Sequence, residues 1–292
     1  MWHVTPLKCA RCRNVAQFQC CINDLFCFFF FNAADCREVL LAGNKTSGVH
    51  TISPLNNEYE FDVFCDQETQ GGGWTIIQQR NDGSLSFFRT WDEYKNGFGT
   101  VGSQSEMWLG NDKIHSLTTE NTELLIQLEA FDGSKGFAMY SDFHVAGEND
   151  HYRLSLGDFS GNLPNKLGTH SNAIFSVGTC ADVQGVGWWF TSSCGEVLLN
   201  SQYGQNTGNM TWDDFPNSGD AGGKLMTTSM KIRRTEGEGL LEVPFLYNST
   251  FLAKVTVTTE RSRVCCCRIM LGDYLNPAKQ QPAERSDACY LK

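Results

Sequence analysis

Alternating apolar and polar residues predict β-strands through the middle of the chain. Successive side chains of a strand point to opposite faces, so this alternation is typical of strands that are buried on one face. The pattern predicts one hairpin within residues 47–65, a second within residues 123–140, and further strands at 74–80 and 151–156. The middle of the chain is therefore expected to be mostly antiparallel sheet.

Three short helices are predicted around this sheet. Asp35 is an N-cap-like residue before an apolar helical pattern that ends at Gly43, and residues 92–96 and 112–117 are the other two helical segments. After Gly157 regular periodicity gives way to glycine, asparagine and serine with scattered tryptophans. We expect a loop-built subdomain there, and loops of this kind usually carry binding functions.

Composition and charge restrict the function. The 292-residue chain has 23 basic and 33 acidic residues, and its net charge of −10 opposes attraction to nucleic-acid phosphates and anionic membranes. Thirteen cysteines are typical of a protein that folds in an oxidising, extracellular compartment. Glycan acceptor triplets at Asn44, Asn209 and Asn248 favour the same location, because such triplets are modified in secreted proteins.

The cysteines are unevenly distributed along the chain. Cys36, Cys65, Cys180 and Cys194 lie in the middle, whereas the other nine lie in the first 27 and the last 28 residues. The odd total leaves at least one cysteine outside intramolecular pairs if the rest are oxidised. A disulfide-linked oligomer would use the terminal cysteines, since the sequence has neither a heptad run nor a Gly-x-y repeat.

The sequence divides into three parts. Residues 1–34 have a basic start, an apolar run from Leu25 to Phe31 and small residues at the end; this order resembles a secretory signal peptide, and an unreliable translated start is the alternative. The apolar run is far shorter than the roughly 20 residues of a membrane-crossing helix, so no transmembrane span is expected. Residues 35–234 are expected to form one domain, and residues 235–292 an appendage whose order the sequence leaves open.

A series of sequence blocks in one order is the most specific signal in the chain. The blocks are Asp35-Cys36, Phe64–Asp66, Gly71–Thr75, Gln79–Ser84, Arg89–Tyr94, Trp108–Asn111, Tyr152–Leu154, Trp188-Trp189 and Met230–Arg233. In this order they resemble the fibrinogen-like domain of the fibrinogen C-terminal, ficolin, tachylectin and angiopoietin type. The resemblance implies an α+β fold with a small N-terminal subdomain, a central mostly antiparallel sheet with short helices, and a loop-rich C-terminal binding subdomain.

The resemblance also implies two disulfides, one between Cys36 and Cys65 and one between Cys180 and Cys194. Each would close a loop and stabilise the fold by roughly 3 kcal/mol on the loop-entropy estimate. Free buried thiols and a zinc site of four cysteines are the alternatives. Neither the cysteine spacing nor the neighbouring histidines fit a zinc pattern.

One expected feature of the family is missing. Many members hold a calcium ion through an aspartate-rich segment between a Phe-Ser pair and the third domain cysteine. Here Phe175-Ser176 is followed by only three residues before Cys180, and Asp182 is the sole nearby carboxylate. Calcium takes six to eight oxygen ligands. We therefore expect no metal and no other cofactor.

The acetyl-group pocket of ficolin-like and tachylectin-like members is also altered. Where such members have aromatic walls and commonly a histidine beside the fourth cysteine, this chain has Gln184 and Gly195, and a third wall position falls near Gly223. Other aromatic and polar residues of that region are retained. With Gln184 and Gly195 they are the candidate ligand-binding residues: Trp188, Trp189, Phe190, Asn200, Tyr203 and Trp212. A buried, purely structural role is the alternative for the tryptophans. The sequence around Cys194-Gly195 resembles the angiopoietin-type version, which binds proteins.

These features predict a secreted, non-enzymatic recognition module. The leading interpretation is lectin-like, innate-immune binding of glycans or other surface ligands through the C-terminal subdomain. The alternative is an angiopoietin-like signalling or extracellular-matrix module that binds a protein receptor. The six histidines and the carboxylates fall into no nucleophile elbow, zinc-protease helix or phosphate-binding loop, so the sequence does not predict an enzyme.

Overall fold

This computed structural model describes backbone and side chains for residues 33–54, 59–178, 185–204, 210–216 and 224–235. For five further strands it describes the backbone alone, at residues 17–22, 25–30, 240–247, 251–259 and 265–271. The chain divides into two compact units, Met1–Thr235 and Glu236–Lys292. The helices are α1 (Cys36–Leu41), α2 (Trp91–Asn96) and α3 (Asn111–Leu117), and three 3₁₀ turns lie at Thr69–Gly71, Glu148–Asp150 and Leu167–His170.

The strands of the first unit follow in chain order. They are β1 (Gln17–Ile22), β2 (Leu25–Phe30), β3 (Gly48–Ile52), β4 (Phe61–Asp66), β5 (Trp74–Arg80), β6 (Phe98–Gly99), β7 (Met107–Trp108), β8 (Thr122–Ala130), β9 (Lys135–Tyr140), β10 (His144–Val145), β11 (Leu154–Ser155), β12 (Phe159–Gly161), β13 (Ser176–Val177), β14 (Gly187–Trp188), β15 (Val197–Leu198), β16 (Thr211–Trp212) and β17 (Leu225–Arg234).

A nine-stranded sheet forms the centre of the first unit. Its strands are ordered β12, β9, β8, β17, β5, β4 and β3, with β7 paired to β5 and β6 paired to β7. Every pairing in it is antiparallel, and both predicted hairpins are present as β3–β4 and β8–β9. The last strand of the unit, β17, lies between β8 and β5. The predicted α+β class with a mostly antiparallel sheet is confirmed.

The predicted helices are confirmed, and side-chain caps explain where α1 and α2 begin. The Asp35 carboxylate accepts a hydrogen bond from the backbone N–H of Glu38 at 2.9 Å, which satisfies a free donor in the first turn of α1. Thr90 and Glu93 form a reciprocal capping box at the start of α2. Arg234, the last residue of β17, pairs with Asp35 at 3.2 Å and with Glu38 at 2.7 Å. Helix α1 is thereby attached to the central strand of the sheet.

The strand predicted at residues 151–156 is wrong for its first half. His151 and Tyr152 both have φ of 48°, in the left-handed region, and only Leu154–Ser155 form a strand. The backbone carbonyl of Tyr152 accepts a hydrogen bond from the indole of Trp189 at 2.8 Å, and its hydroxyl donates to Asp112 at 2.6 Å. These long-range contacts stabilise a turn at His151 and Tyr152, although the local alternation of apolar and polar residues favours a strand there.

The strands outside the central domain are simple antiparallel pairs. In the second unit, β18 (Leu240–Tyr247), β19 (Phe251–Thr259) and β20 (Cys265–Leu271) pair in chain order. Strands β1 and β2 pair within the segment that resembles a signal peptide, and the rest of residues 1–32 lies outside the described residues. Among the described helices, none has both the length and the apolar character that crossing a membrane requires.

Candidate functional site

Two side chains of β5 attach the loop-built C-terminal subdomain to the central sheet. The Arg80 guanidinium donates to the backbone carbonyls of Leu199 at 3.2 Å and Ser201 at 2.9 Å. Gln78 donates to the Leu199 carbonyl and to the Asn200 side-chain oxygen, each at 3.2 Å. Because irregular loops lack a ladder of their own, these buried hydrogen bonds fix the backbone of the subdomain.

Glu106 orients the turn that leads to the subdomain surface. Its carboxylate accepts hydrogen bonds from the backbone N–H groups of Asn81 at 3.1 Å, Gly83 at 3.0 Å and Leu85 at 2.8 Å. It also pairs with Arg80 at 3.4 Å, and both side chains are buried. The Glu106 charge is thus compensated by hydrogen bonds and by Arg80, which offsets the cost of burying a carboxylate. The turn at residues 81–85 is held rigidly against the sheet.

The three tryptophans that the sequence offers as ligand contacts lie in the core. Trp188, Trp189 and Trp212 are buried. The Trp189 indole donates to the Tyr152 carbonyl at 2.8 Å, and the Trp212 indole donates to the Pro164 carbonyl at 3.0 Å. The rings of Trp188 and Trp189 pack against each other, the Trp189 ring also packs against Phe175, and all three tryptophans belong to the main core. This burial favours the structural alternative for the three tryptophans over a role as ligand contacts.

The other candidate contacts are divided between core and surface. Asn200 is fully buried and donates to the Gly187 carbonyl at 3.0 Å, so it is a structural residue. Phe190 and Tyr203 are half-buried, and the Tyr203 hydroxyl donates to the Asn81 carbonyl at 3.1 Å. Gln184 and Gly223 lie outside the described residues.

The His170 ring occupies the space that a side chain at Gly195 would need. Position 195 is where the family resemblance implies a histidine. A Cβ at Gly195 would lie 2.1 Å from Cε1 of His170, and Gly195 has φ of +96°. The His170 Nδ1 lies 2.8 Å from the Trp189 carbonyl, and its Nε2 accepts hydrogen bonds from the backbone N–H groups of Glu196 and Val197, both at 3.2 Å. Position 195 therefore has no room for a side chain.

These contacts also fix the protonation state of His170. A carbonyl oxygen only accepts, so Nδ1 carries the proton, and two N–H groups only donate, so Nε2 has a free lone pair. The ring is therefore neutral. Burial lowers the pKa of His170, because it disfavours the charged form of the imidazole.

An apolar patch lies at the edge of the main core on the same subdomain. Buried Val186 packs against half-buried Phe190 and Leu198 and against Cys194, and Phe190 and Leu198 also pack against the edge of the main core. Phe88 forms an isolated backbone bridge with Val186, and the Phe88 side chain is 68% exposed. We call Phe88, Gly185, Val186, Phe190 and Leu198 the Phe88 surface.

Gly185 brings the Phe88 ring onto this surface. A Cβ at Gly185 would lie 2.1 Å from Cε2 of Phe88, so the ring lies directly against the glycine. The Arg89 N–H donates to the Gly185 carbonyl at 2.8 Å and anchors the adjoining backbone. Sequence reasoning missed Phe88. The signal was the pair Phe87-Phe88, because neighbouring side chains in extended backbone face opposite sides, and here Phe87 is buried and Phe88 exposed.

The cysteine predictions are tested in part. Cys36 and Cys65 form a disulfide with an S–S distance of 1.99 Å, which confirms the first predicted pair. Cys194 is disulfide-bonded, while its predicted partner Cys180 lies outside the described residues, as does Asp182. Within the described ranges, no group of three or more His, Cys, Asp or Glu residues is arranged to hold a metal ion.

The acceptor asparagines differ in what the structure describes. Asn44 is exposed in the loop between α1 and β3, where a glycan could be attached without a clash in the core. Asn209 and Asn248 lie outside the described residues, so their glycosylation stays a prediction from sequence.

Comparison with known proteins establishes the family. Residues 32–235 match the C-terminal globular domain of the fibrinogen beta and gamma chains. The chain belongs to the fibrinogen-like family. Fibrinogen-like domains of the ficolin, fibroleukin and ANGPTL types are generally non-enzymatic binding modules. The coarse prediction of a recognition module is therefore confirmed.

Three relatives illustrate the range of the family. Human Ficolin-3 is 41% identical over 180 residues, which are 58% of this chain and 59% of Ficolin-3, so the chain spans less than two thirds of that relative. The fibrinogen-like globe domain of human ANGPTL6 is 34% identical with a TM-score of 0.63, covering 70% of this chain and 96% of that one. Lamprey fibrin D-dimer, complexed with the peptide ligand Gly-His-Arg-Pro-amide, is 32% identical with a TM-score of 0.61, covering 72% of this chain and 77% of that one.

Proposed function

We propose that this fibrinogen-like chain is a secreted, non-enzymatic recognition module that binds an extracellular protein through the Phe88 surface. The observation that carries the proposal is the exposed Phe88 ring, which lies against Gly185 and is bridged through its backbone to Val186 of the apolar cluster. Exposed aromatic side chains surrounded by apolar neighbours are enriched at the centres of protein interfaces. The rigid support from Arg80 and Glu106 lowers the entropy that such a surface would lose on binding.

The placement of the tryptophans supports a protein ligand over a sugar. Stacking on a sugar ring needs an aromatic face that is open to solvent, whereas Trp188, Trp189 and Trp212 are buried. The acetyl-group pocket implied by the family resemblance commonly includes a histidine at position 195, where the His170 ring leaves no room for a side chain. The peptide complex of lamprey fibrin D-dimer supports recognition of polypeptide within the family.

A lectin-like, innate-immune function is the second candidate. The 41% identity with human Ficolin-3 supports it, and residues 179–184, which include Gln184, belong to the region where ficolin-like members have their pocket. In this case a glycan would contact loop residues and not the buried tryptophans.

Secretion is supported by the disulfides and by the exposed glycan acceptor. The Cys36–Cys65 bond persists only where thiols are oxidised, and Asn44 is open to the transferase. A disulfide-linked oligomer through the terminal cysteines would give weak individual sites a useful avidity.

The discriminating experiment is a pair of binding screens with the secreted full chain. One screen uses an array of acetylated and non-acetylated glycans, and the other uses an array of extracellular protein domains, each with and without a calcium chelator. We expect binding on the protein array that does not change with chelator. Binding confined to glycans would overturn the protein-ligand proposal in favour of the lectin-like one.

A further inference from the structure

Two histidines outside the recognition subdomain lie side by side. His115 is in the last turn of α3 and His144 begins β10, and their ring centroids are 6.3 Å apart. The His115 Nδ1 lies 2.7 Å from the Val145 carbonyl oxygen, and the His144 Nδ1 lies 2.7 Å from the Thr118 carbonyl oxygen. Both rings are half-buried.

These contacts assign the same tautomer to both rings. A carbonyl oxygen accepts but never donates, so each Nδ1 must carry a proton and each neutral ring has its lone pair on Nε2. Within the part of the chain that the structure describes, neither Nε2 makes a hydrogen bond to the protein. Neither Nε2 is among the fully buried polar atoms that have no partner, so both are accessible to solvent. The two lone pairs are therefore available to a ligand from solvent.

We propose that His115 and His144 together bind a divalent transition-metal cation of the Zn²⁺, Ni²⁺ and Cu²⁺ class through their Nε2 atoms. Metal-bound histidines typically donate the other ring N–H to a carbonyl or carboxylate, which is the arrangement that both rings already have. Imidazole nitrogen selects these metals over Ca²⁺ and Mg²⁺, which prefer oxygen. Because no third side-chain ligand is in place among the described residues, water completes the coordination.

The spacing of the rings suits one shared cation. Two imidazoles bound at about 2.0–2.1 Å through nitrogen have ring centroids roughly 5–6 Å apart, depending on the angle at the metal. The observed 6.3 Å is slightly wider. A small shift of either half-buried ring that keeps its Nδ1 contact with the carbonyl would close the difference.

The surrounding backbone holds the rings in place. The Val145 N–H donates to the Thr118 hydroxyl at 3.2 Å, so the segment that carries His144 and the end of α3 are joined by this bond and by both histidine contacts. Such fixed orientation reduces the cost of collecting two ligands on one metal.

Gly147 leaves room beside the His115 lone pair. A Cβ at Gly147 would lie 3.5 Å from the His115 Nε2, and Nε2 would be the nearest atom of the His115 ring. Its φ of −72° is open to any residue, so the backbone does not require glycine here. Glu148, the residue after Gly147, already has partners: its carboxylate accepts a hydrogen bond from the Trp91 indole at 3.2 Å and pairs with Lys95.

The test is calorimetric titration of the full chain with Zn²⁺ at pH 7.5. Four variants accompany the wild type: His115→Gln, His144→Gln, Gly147→Ala and, as a control, His50→Gln on β3. We expect one binding event whose affinity falls at least about tenfold in both histidine variants and falls in Gly147→Ala, while His50→Gln matches the wild type. Zn²⁺ binding that is absent, or that either histidine variant retains unchanged, overturns the proposal.

Two further readouts keep the proposal testable if one variant folds poorly. The electron paramagnetic resonance spectrum of Cu²⁺ added to the wild type should show two coordinating imidazole nitrogens, and His144→Gln should show one fewer. Nitrogen-15 spectra of histidine-labelled protein should show His115 and His144 protonated at Nδ1. Protonation at Nε2 in either ring would contradict the assignment.

Discussion

The imidazole of His170 lies directly against Gly195. A single added methyl group at position 195 would approach Cε1 of the ring to 2.1 Å. The ring itself is fixed because Nδ1 donates to the Trp189 carbonyl and Nε2 accepts from the N–H groups of Glu196 and Val197. The 3₁₀ turn that ends at His170 thus supports the Cys194-Gly195 turn from within. In this chain, position 195 therefore has no space for a side chain, such as the histidine that the family resemblance implies there.

Replacing Gly195 with alanine should destabilise the domain strongly. The change adds a clash with His170 to the strain of a side chain at φ of +96°, and we expect the free energy of unfolding to fall by about 2–4 kcal/mol. The control is Gly133→Ala in the β8–β9 turn, where φ is +85° but nothing lies within 4 Å of the added Cβ. That variant should lose only about 1 kcal/mol. Equal losses in chemical denaturation would show that packing against His170 is unimportant.

The stability of the domain should depend on the protonation of His170. Because burial lowers its pKa in the folded state, the unfolded chain takes up a proton below about pH 6.5 while the folded chain does not. The contribution of the neutral ring is therefore complete above pH 6.5. It declines as the pH falls towards the folded pKa, by at most about 1.4 kcal/mol per pH unit. Glu196 and Asp213 act against this shift but do not cancel it.

The measurement is the melting temperature between pH 7.5 and 5.0, for the wild type and for His170→Gln. Glutamine cannot titrate, so the difference between the two proteins isolates His170 from the carboxylates. We expect the wild type to lose more stability than the variant as the pH falls through this range. Parallel curves would contradict a lowered pKa.

The Cys36–Cys65 disulfide should be a major stabilising bond. It joins α1 to β4 across a sequence separation of 29 residues, and both cysteines are fully buried. Replacing both with alanine should lower the free energy of unfolding by about 3–4 kcal/mol on the loop-entropy estimate. In the folded wild type, burial should make the bond resist reductant until denaturant is added. A loss below about 1 kcal/mol would contradict this role.

Calcium should have no effect on this domain. The aspartate-rich segment of the family is missing before Cys180, so too few carboxylate oxygens are available to compete with water for the ion. Adding millimolar calcium or a chelator should leave the melting temperature unchanged within about a degree. A calcium-dependent rise of several degrees that is lost in Asp182→Ala would show a rebuilt site.

The strands and helices were largely predictable because their signals are local. Alternation in β3, β4, β8 and β9 and the cap at Asp35 each depend on residues close in sequence. The strand predicted at 151–156 failed at His151 and Tyr152, since Trp189 and Asp112 determine that backbone from far along the chain.

The candidate site was less predictable because burial is a property of the tertiary structure. Sequence alone left open whether Trp188, Trp189 and Trp212 face a ligand or the core, and the structure buries all three. Phe88 lies about a hundred residues before Val186 in sequence, so only the folded chain brings the two together. The pairing of His170 with Gly195 carries no sequence signal either.

The most direct test of the proposed recognition surface is an affinity comparison between Phe88→Ser and Leu41→Ser. Both residues are exposed apolar side chains, 68% and 56% respectively, but Leu41 ends α1 in the N-terminal part of the domain. Each full-length variant is titrated against the protein ligand found on the array, after its melting temperature is shown to lie within about a degree of the wild type. The account predicts at least a tenfold loss of affinity, about 1.4 kcal/mol, for Phe88→Ser and none for Leu41→Ser. Unchanged binding by Phe88→Ser would contradict it.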